Sequence, residues 1–234
     1  FTKMFRVLQA LALAASVAIA LGQDPAPGWM AYAEGKHPTN ASARLTHAEA
    51  KWQVLDNPSN GGGAFYSPWF GIETSDNLNL LQPVNPWLGN GWAAYTEYFQ
   101  WSPENNVNSN QFSTQSGHFL HGTVDYVASS NSYKVTQTDL TTGQSTGFNI
   151  PVQGDKTYTI SYFVFEKSQW PCNAYPPNNK VLFYDISIEY DNEPVESTFT
   201  TSFVDDHCDF RAHIVNTTAI SITWDSSSRN LRAQ

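Results

Sequence analysis

Along most of the chain, apolar and polar residues alternate in short runs and do not recur at every third and fourth position. From residue 65 onward these runs are rich in aromatic and β-branched residues: AFYSPWFGIE, WAAYTEYFQW, HFLHGTVDYV, SYKVTQTDL, STGFNIPV, TYTISYFVFE, KVLFYDISIEY, STFTTSFV and AISITW. Gly, Pro, Asn, Asp or Ser punctuates each run, at the spacing of an all-β sandwich. In Lys180–Tyr190 the alternation predicts Val181, Phe183, Asp185, Ser187 and Glu189 on one face and Leu182, Tyr184, Ile186, Ile188 and Tyr190 on the other. Beyond residue 22 no stretch carries a helical period, and no internal repeat is present. The expected fold is all-β, with two packed antiparallel sheets.

The first 22 residues follow another pattern. Lys3 and Arg6 flank or precede the apolar run VLQALALAASVAIALG, which ends in the small-residue pattern Ala20-Leu21-Gly22. This predicts a secretory signal peptide over 1–22, too short and too rich in small residues for a stable membrane span. Residues 23–64 hold four of the 13 prolines and the cluster Gly61-Gly62-Gly63. They are expected to be a loosely organised N-terminal region or short prosegment, with one strand near Trp52–Leu55. The sandwich domain is expected over 65–228.

Charge narrows the partners. Without residues 1–22 the chain keeps ten basic against 21 acidic residues, a formal charge of −11. Nucleic acid and anionic membrane surfaces need a basic face, so both are excluded as partners. With export, Cys172 and Cys208, the sole cysteines, are expected to form a disulfide. Asn40 (NAS) and Asn216 (NTT) are glycosylation sequons, whereas Asn57 is followed by Pro and is not.

Several chemistries fit the residues poorly. Gly143-Gln144-Ser145-Thr146-Gly147 matches the GxSxG nucleophile pattern, which needs a strand turning sharply into a helix; here it falls in the hairpin LTTGQSTGF. His118 and His121 lack an HExxH partner and, on a strand, point to opposite faces. The cluster Asp205, Asp206, His207, Cys208, Asp209 spends its cysteine on the expected disulfide. No metal site and no cofactor are expected.

The order of the runs is informative in another way. WFGIE at Trp69–Glu73 resembles the WVGID strand of the eqolisin family of glutamic peptidases, and NLNLLQPV places Gln82 where that family carries its catalytic Gln. EYFQWSP, at Glu97–Pro103, stands for the family's WYEWYP strand; anchored on Trp101 and Pro103, it puts Gln100 at the motif's Glu. LTTGQ at Leu140–Gln144 is similar to a family turn, FVFEKSQW sets Glu166 on the catalytic Glu, and ISITW resembles the closing FTVTW. Glu73 replaces the family's Asp, Pro83 follows Gln82 where the family has Thr-Gly, and Asp185 and Glu189 are rivals to Glu166 for the acid. The resemblance spans roughly residues 65 to 225 and implies a lectin-like, concanavalin-type jelly roll, an acid-active endopeptidase and a polypeptide substrate.

The implied chemistry is consistent in itself. Peptide hydrolysis needs a base for water, an acid for the leaving amine and a donor for the oxyanion. Glu166 takes the proton and returns it, while the Gln82 amide donates to the oxyanion and its carbonyl helps hold the water. Trp69, Glu73 and Gln100 are expected as substrate-contacting walls and supports of this pair. The competing class is a secreted binding module for an extracellular glycan or cell-wall ligand, because a sandwich face lined with Trp and Tyr suits amphipathic ligands. Convergence of Gln82 and Glu166 in one groove discriminates the two.

Overall fold

The computed structural model describes residues 28–167, 170–204 and 206–228, so the expected signal segment lies outside them. Two eight-stranded antiparallel sheets face each other, the architecture expected from the alternating runs. One contains β1 (Trp29–Lys36), β3 (Tyr66–Thr74), β4 (Asn79–Val84), β5 (Trp92–Trp101), β6 (Glu104–Asn108), β7 (Phe112–Thr114), β11 (Tyr158–Lys167) and β14 (Thr198–Phe203). Its order is β14-β1-β11-β3-β4-β5-β6, with β7 also on β5. We call it the groove sheet. The other, the back sheet, contains β2 (Leu45–Gln53), β8 (Phe119–Val127), β9 (Ser132–Asp139), β10 (Ser145–Pro151), β12 (Lys180–Tyr190), β13 (Glu193–Pro194), β15 (Arg211–Asn216) and β16 (Ala219–Thr223). It runs β10-β9-β8-β2-β12-β16-β15, with β13 on β12.

Residues 29–53, expected to be loosely organised apart from a strand near Trp52, instead form two long interior strands. β1 pairs with β11 on one side and β14 on the other, and β2 lies between β8 and β12. Their Ala-, Gly-, Glu- and Lys-containing sequences have weak intrinsic strand preference, and two-sided pairing overrides it. Excising them would strip an interior strand from each sheet.

Trp52, Phe70, Phe163 and Phe183 stack between the sheets, and Tyr66, Phe165, Tyr175, Phe210 and Trp224 continue the core at one end. The groove sheet is apolar on its outward face as well. There Trp29, Trp69, Leu80, Val84, Ile160, Tyr162 and Val164 form a second cluster, with Tyr95, Phe99 and Trp101 packed against it. β3 is therefore buried at every position, and its sequence shows no alternation.

The alternation expected for Lys180–Tyr190 changes phase midway. Val181 and Phe183 are buried, then Ile186, Ile188 and Tyr190. Asp185 adopts a left-handed conformation (φ 51°), and the register to β2 shifts between Tyr184 and Ser187. One extra residue at this bulge turns the second half of the strand over, so the two predicted faces are not continuous.

Candidate active site

Three adjacent strands bring the expected pair together. Glu166 on β11 stands opposite Trp29 on β1 and Ser67 on β3, while Gln82 lies on β4, the next strand beyond β3. Gly71 explains how β4 comes so close. A Cβ there would sit 2.5 Å from the Leu81 carbonyl oxygen and 3.1 Å from Gln82 Cβ, so only glycine permits this approach. Pro83 then turns inward, packed near Gly122, which lets its neighbours Gln82 and Val84 face the groove.

The result is a groove of about 430 Å³ on the outward face of this sheet. Gln82 and Glu166 both line it, together with Ser67, Glu97 and Tyr95, among apolar walls that include Trp29, Phe99 and Trp101. Among the described residues that line it, none is Lys, Arg or His. Trp69, expected as a wall, lies fully buried beneath the groove, and its indole N–H donates to Glu166 Oε2 at 2.8 Å. That bond orients the carboxylate.

Two expected wall residues are elsewhere. Gln100 is buried on the core side of β5, with Tyr98; its carbonyl accepts from the Tyr98 hydroxyl and from Asn79 Nδ2, and its amide donates to the Pro103 carbonyl at 2.7 Å. The error is one of register: laying WYEWYP over YTEYFQ puts the motif's Glu on Glu97, three positions earlier, and that residue does face the groove. Glu73 is wholly buried, accepts from Asn77 Nδ2 at 3.1 Å and does not line the groove.

Glu97 is the residue that the sequence reading missed. It pairs directly with Gln82 across the β4–β5 ladder, and its Oε2 accepts from Gln82 Nε2 at 2.7 Å. Asn106 Nδ2 donates to its other oxygen at 2.8 Å. Burial raises the Glu97 carboxyl above the ordinary Glu range, against the opposing bonds from Asn106 and Gln82. Burial also pushes the Tyr95 phenol up, aided by the charges of Glu97 and Glu166. The shared face of Tyr95, Glu97, Phe99 and Trp101 was readable from period-two alternation alone.

The remaining candidates fall outside the groove. Asp185 and Glu189 sit on β12 in the back sheet, where Asp185 accepts from Lys51 Nζ at 3.1 Å. Ser145 opens β10 in the β9–β10 hairpin, bonded to Thr138. His118 and His121 contact different carboxylates, Asp139 and Glu49. Cys172 and Cys208 are joined in a disulfide, so their cluster with His207 offers no free thiolate; Asp205 lies outside the described residues. Asn40 and Asn216 are both exposed, on a turn and at a strand end.

Comparison with known proteins agrees with this fold. A crystal structure of scytalido-glutamic peptidase with a transition state analog inhibitor superposes with TM-score 0.62 at 20% identity, over 84% of this chain and 98% of that one. SCP-B, a member of the eqolisin family in complex with the tripeptide Ala-Ile-His, gives 0.60 at 20% identity, over 85% and 98%. Aspergilloglutamic peptidase from Aspergillus niger gives 0.53 at 18% identity, over 68% and 98%. No curated protein matches in sequence. The sequence profile of the peptidase A4 family matches residues 33–221, which takes in the end of β1, all of β2 and the groove strands β3 to β6 and β11. The chain belongs to the peptidase A4 family, the eqolisins.

Proposed function

We propose that the protein is an acid endopeptidase in which Glu166 activates water and Gln82 stabilises the oxyanion. The observation that carries this reading is the convergence of both side chains on one groove, with Trp69 holding the Glu166 carboxylate from below. Glu166 accepts the proton of the attacking water and passes it to the leaving amine, so one carboxyl serves as base and then acid. The Gln82 amide supplies an N–H to the oxygen that becomes negative, and its carbonyl helps hold the water. The long apolar walls fit an extended polypeptide with bulky side chains on either side of the scissile bond. Bound transition state analogs and a tripeptide in the related peptidases support a polypeptide ligand here.

Secretion fits the same reading. The leader expected over 1–22, the Cys172–Cys208 disulfide and two exposed sequons all suit an extracellular protein. Among the described residues no helix is long and apolar enough to cross a membrane.

The test is proteolysis of a denatured protein, followed across pH with a chelator and an inhibitor of paired-aspartate enzymes present. Activity is expected to be strongest below about pH 5, near the ordinary Glu range, and insensitive to both agents. Glu166→Gln should abolish it, and Gln82→Ala should lower kcat by about 10²- to 10³-fold. Wild-type turnover in either variant, a neutral optimum or loss on chelation would overturn the assignment. Complete inactivity of the wild type would favour a binding module instead.

A further inference from the structure

Glu97 has no task in the dyad scheme, yet it grips one member of the pair. It faces Gln82 directly, and its two oxygens are divided between two amides, Gln82 Nε2 and Asn106 Nδ2. A carboxylate can only accept, so an ionised Glu97 must draw the amino end of the Gln82 amide toward itself. The other end, Gln82 Oε1, is then buried without a hydrogen-bond partner. Protonation changes this balance. The neutral carboxyl has an O–H to give, and Gln82 Oε1 is an acceptor in need of one, so the amide can turn end for end.

Building on the dyad reading, we infer that Glu97 is a positioning residue whose protonation state sets the direction of the Gln82 amide, and with it the N–H offered to the oxyanion. Ionised Glu97 holds one of the two Gln82 Nε2 hydrogens and places a like charge beside the oxyanion. Neutral Glu97 removes both obstacles. The proton is exchanged with solvent, and no bond of the substrate is involved.

The surroundings favour a proton on Glu97. Gln82 faces it from β4, Asn106 from β6 and Tyr95 from its own strand, with Glu166 on β11 bordering the same groove. Strands β3 to β6 contain no Lys, Arg or His. Burial opposes the charge, and the two amide donors offset this only in part. Glu166 must be ionised to act as base while Glu97 is protonated, so the active window closes on its alkaline side where Glu97 ionises.

The experiment follows the Gln82 side-chain NH2 signals by ¹⁵N NMR on the full chain across pH, assigned by their absence in Gln82→Ala. They are expected to move with a single midpoint above about 4.3, the ordinary Glu value. This movement should vanish in Glu97→Gln and survive in Glu166→Gln. Asn106→Ala, at an exposed position, removes a donor to the ionised form and should move the midpoint upward, which keeps the test available if Glu97→Gln does not fold. In proteolysis assays the alkaline limb of the wild type should share that midpoint. Glu97→Gln should lose less than about threefold between pH 4.5 and 7, where the wild type loses about tenfold or more. Gln82 signals that do not titrate, or that titrate equally in Glu97→Gln, would overturn the inference. A Glu97-dependent titration in a protein without proteolysis would sink the peptidase reading and leave only the control of the Gln82 amide by Glu97 standing; proteolysis without that titration would overturn the role of Glu97 and leave the dyad reading intact.

Discussion

The outward faces of the two sheets both carry carboxylates, and they treat them in opposite ways. On the back sheet three of them meet a basic side chain: Asp125 pairs with His47 at 2.7 Å, Glu49 with His121 at 2.8 Å and Asp185 with Lys51 at 3.1 Å. In the groove, Glu97 accepts from the amides of Gln82 and Asn106, and Glu166 accepts from the Trp69 indole. Burial lifts Glu97, whereas for Asp125 the hydrogen bond and charge of His47 overcome burial and bring the carboxyl below its usual range. The lesson is that an acidic chain need not be uniformly acid-adapted. In this molecule a groove whose Glu97 carboxyl is raised by burial is carried on the same fold as a His47–Asp125 pair whose carboxyl lies below its usual range.

The largest test of this contrast is mechanical. Gly71→Ala places a Cβ 2.5 Å from the Leu81 carbonyl oxygen, so β3 and β4 must part and Gln82 must move. A loss of about 1–3 kcal/mol in stability is expected, measured by urea titration, with proteolysis falling further than stability does. Unchanged stability and turnover would show that the strand approach does not position Gln82.

Next in size is the pH dependence of stability at Glu97. Its folded value is raised, so its contribution is fully present below the unfolded value of about 4.3 and is lost as pH rises through the folded value. Glu97→Gln should therefore narrow the drop in Tm between pH 4 and pH 7 seen in the wild type. An identical drop in both proteins would place the burden of ionisation elsewhere.

The smallest effect belongs to the back sheet. A double-mutant cycle on His47 and Asp125 should give about 0.2–1 kcal/mol, because both side chains are partly exposed. His47 is raised by its bond to Asp125 against burial, so its share is complete below 6.5 and lost as pH climbs through the folded value. The Asp125 share is present above 3.8 and lost as pH falls through its lowered folded value. The coupling should thus peak in mildly acidic buffer and fade at either extreme; a coupling that does not vary with pH would contradict the pairing.

How far the sequence could be read depended on what each residue's neighbours do. Strands from Phe65 onward were legible because aromatic and β-branched runs favour a pleated sheet wherever they pack. Gln82 and Glu166 were legible because their place in the order of strands does not depend on exact pairing. Gln100 and Glu97 were confused because cross-strand register is set by partners outside the run, and an anchor on Trp101 and Pro103 slides the motif by three positions. β1 was missed and β2 was caught only at its end, near Trp52, since WMAYAEGK and LTHAEAKWQ owe their strand state to neighbours on both sides. The phase change in β12 rests on one left-handed residue, Asp185, that periodicity cannot reveal.

The position of β1 has a further consequence in the order of biosynthesis. Trp29 and Glu166 are ladder partners although more than 130 residues separate them, and β14, which flanks β1 on its other side, begins at Thr198. A chain growing from its N-terminus carries half of this wall long before the other half exists. Such long-range pairing also folds slowly, because loop closure precedes any contact that rewards it. The groove therefore closes only after most of the polypeptide has been made, which gives the nascent chain a built-in delay.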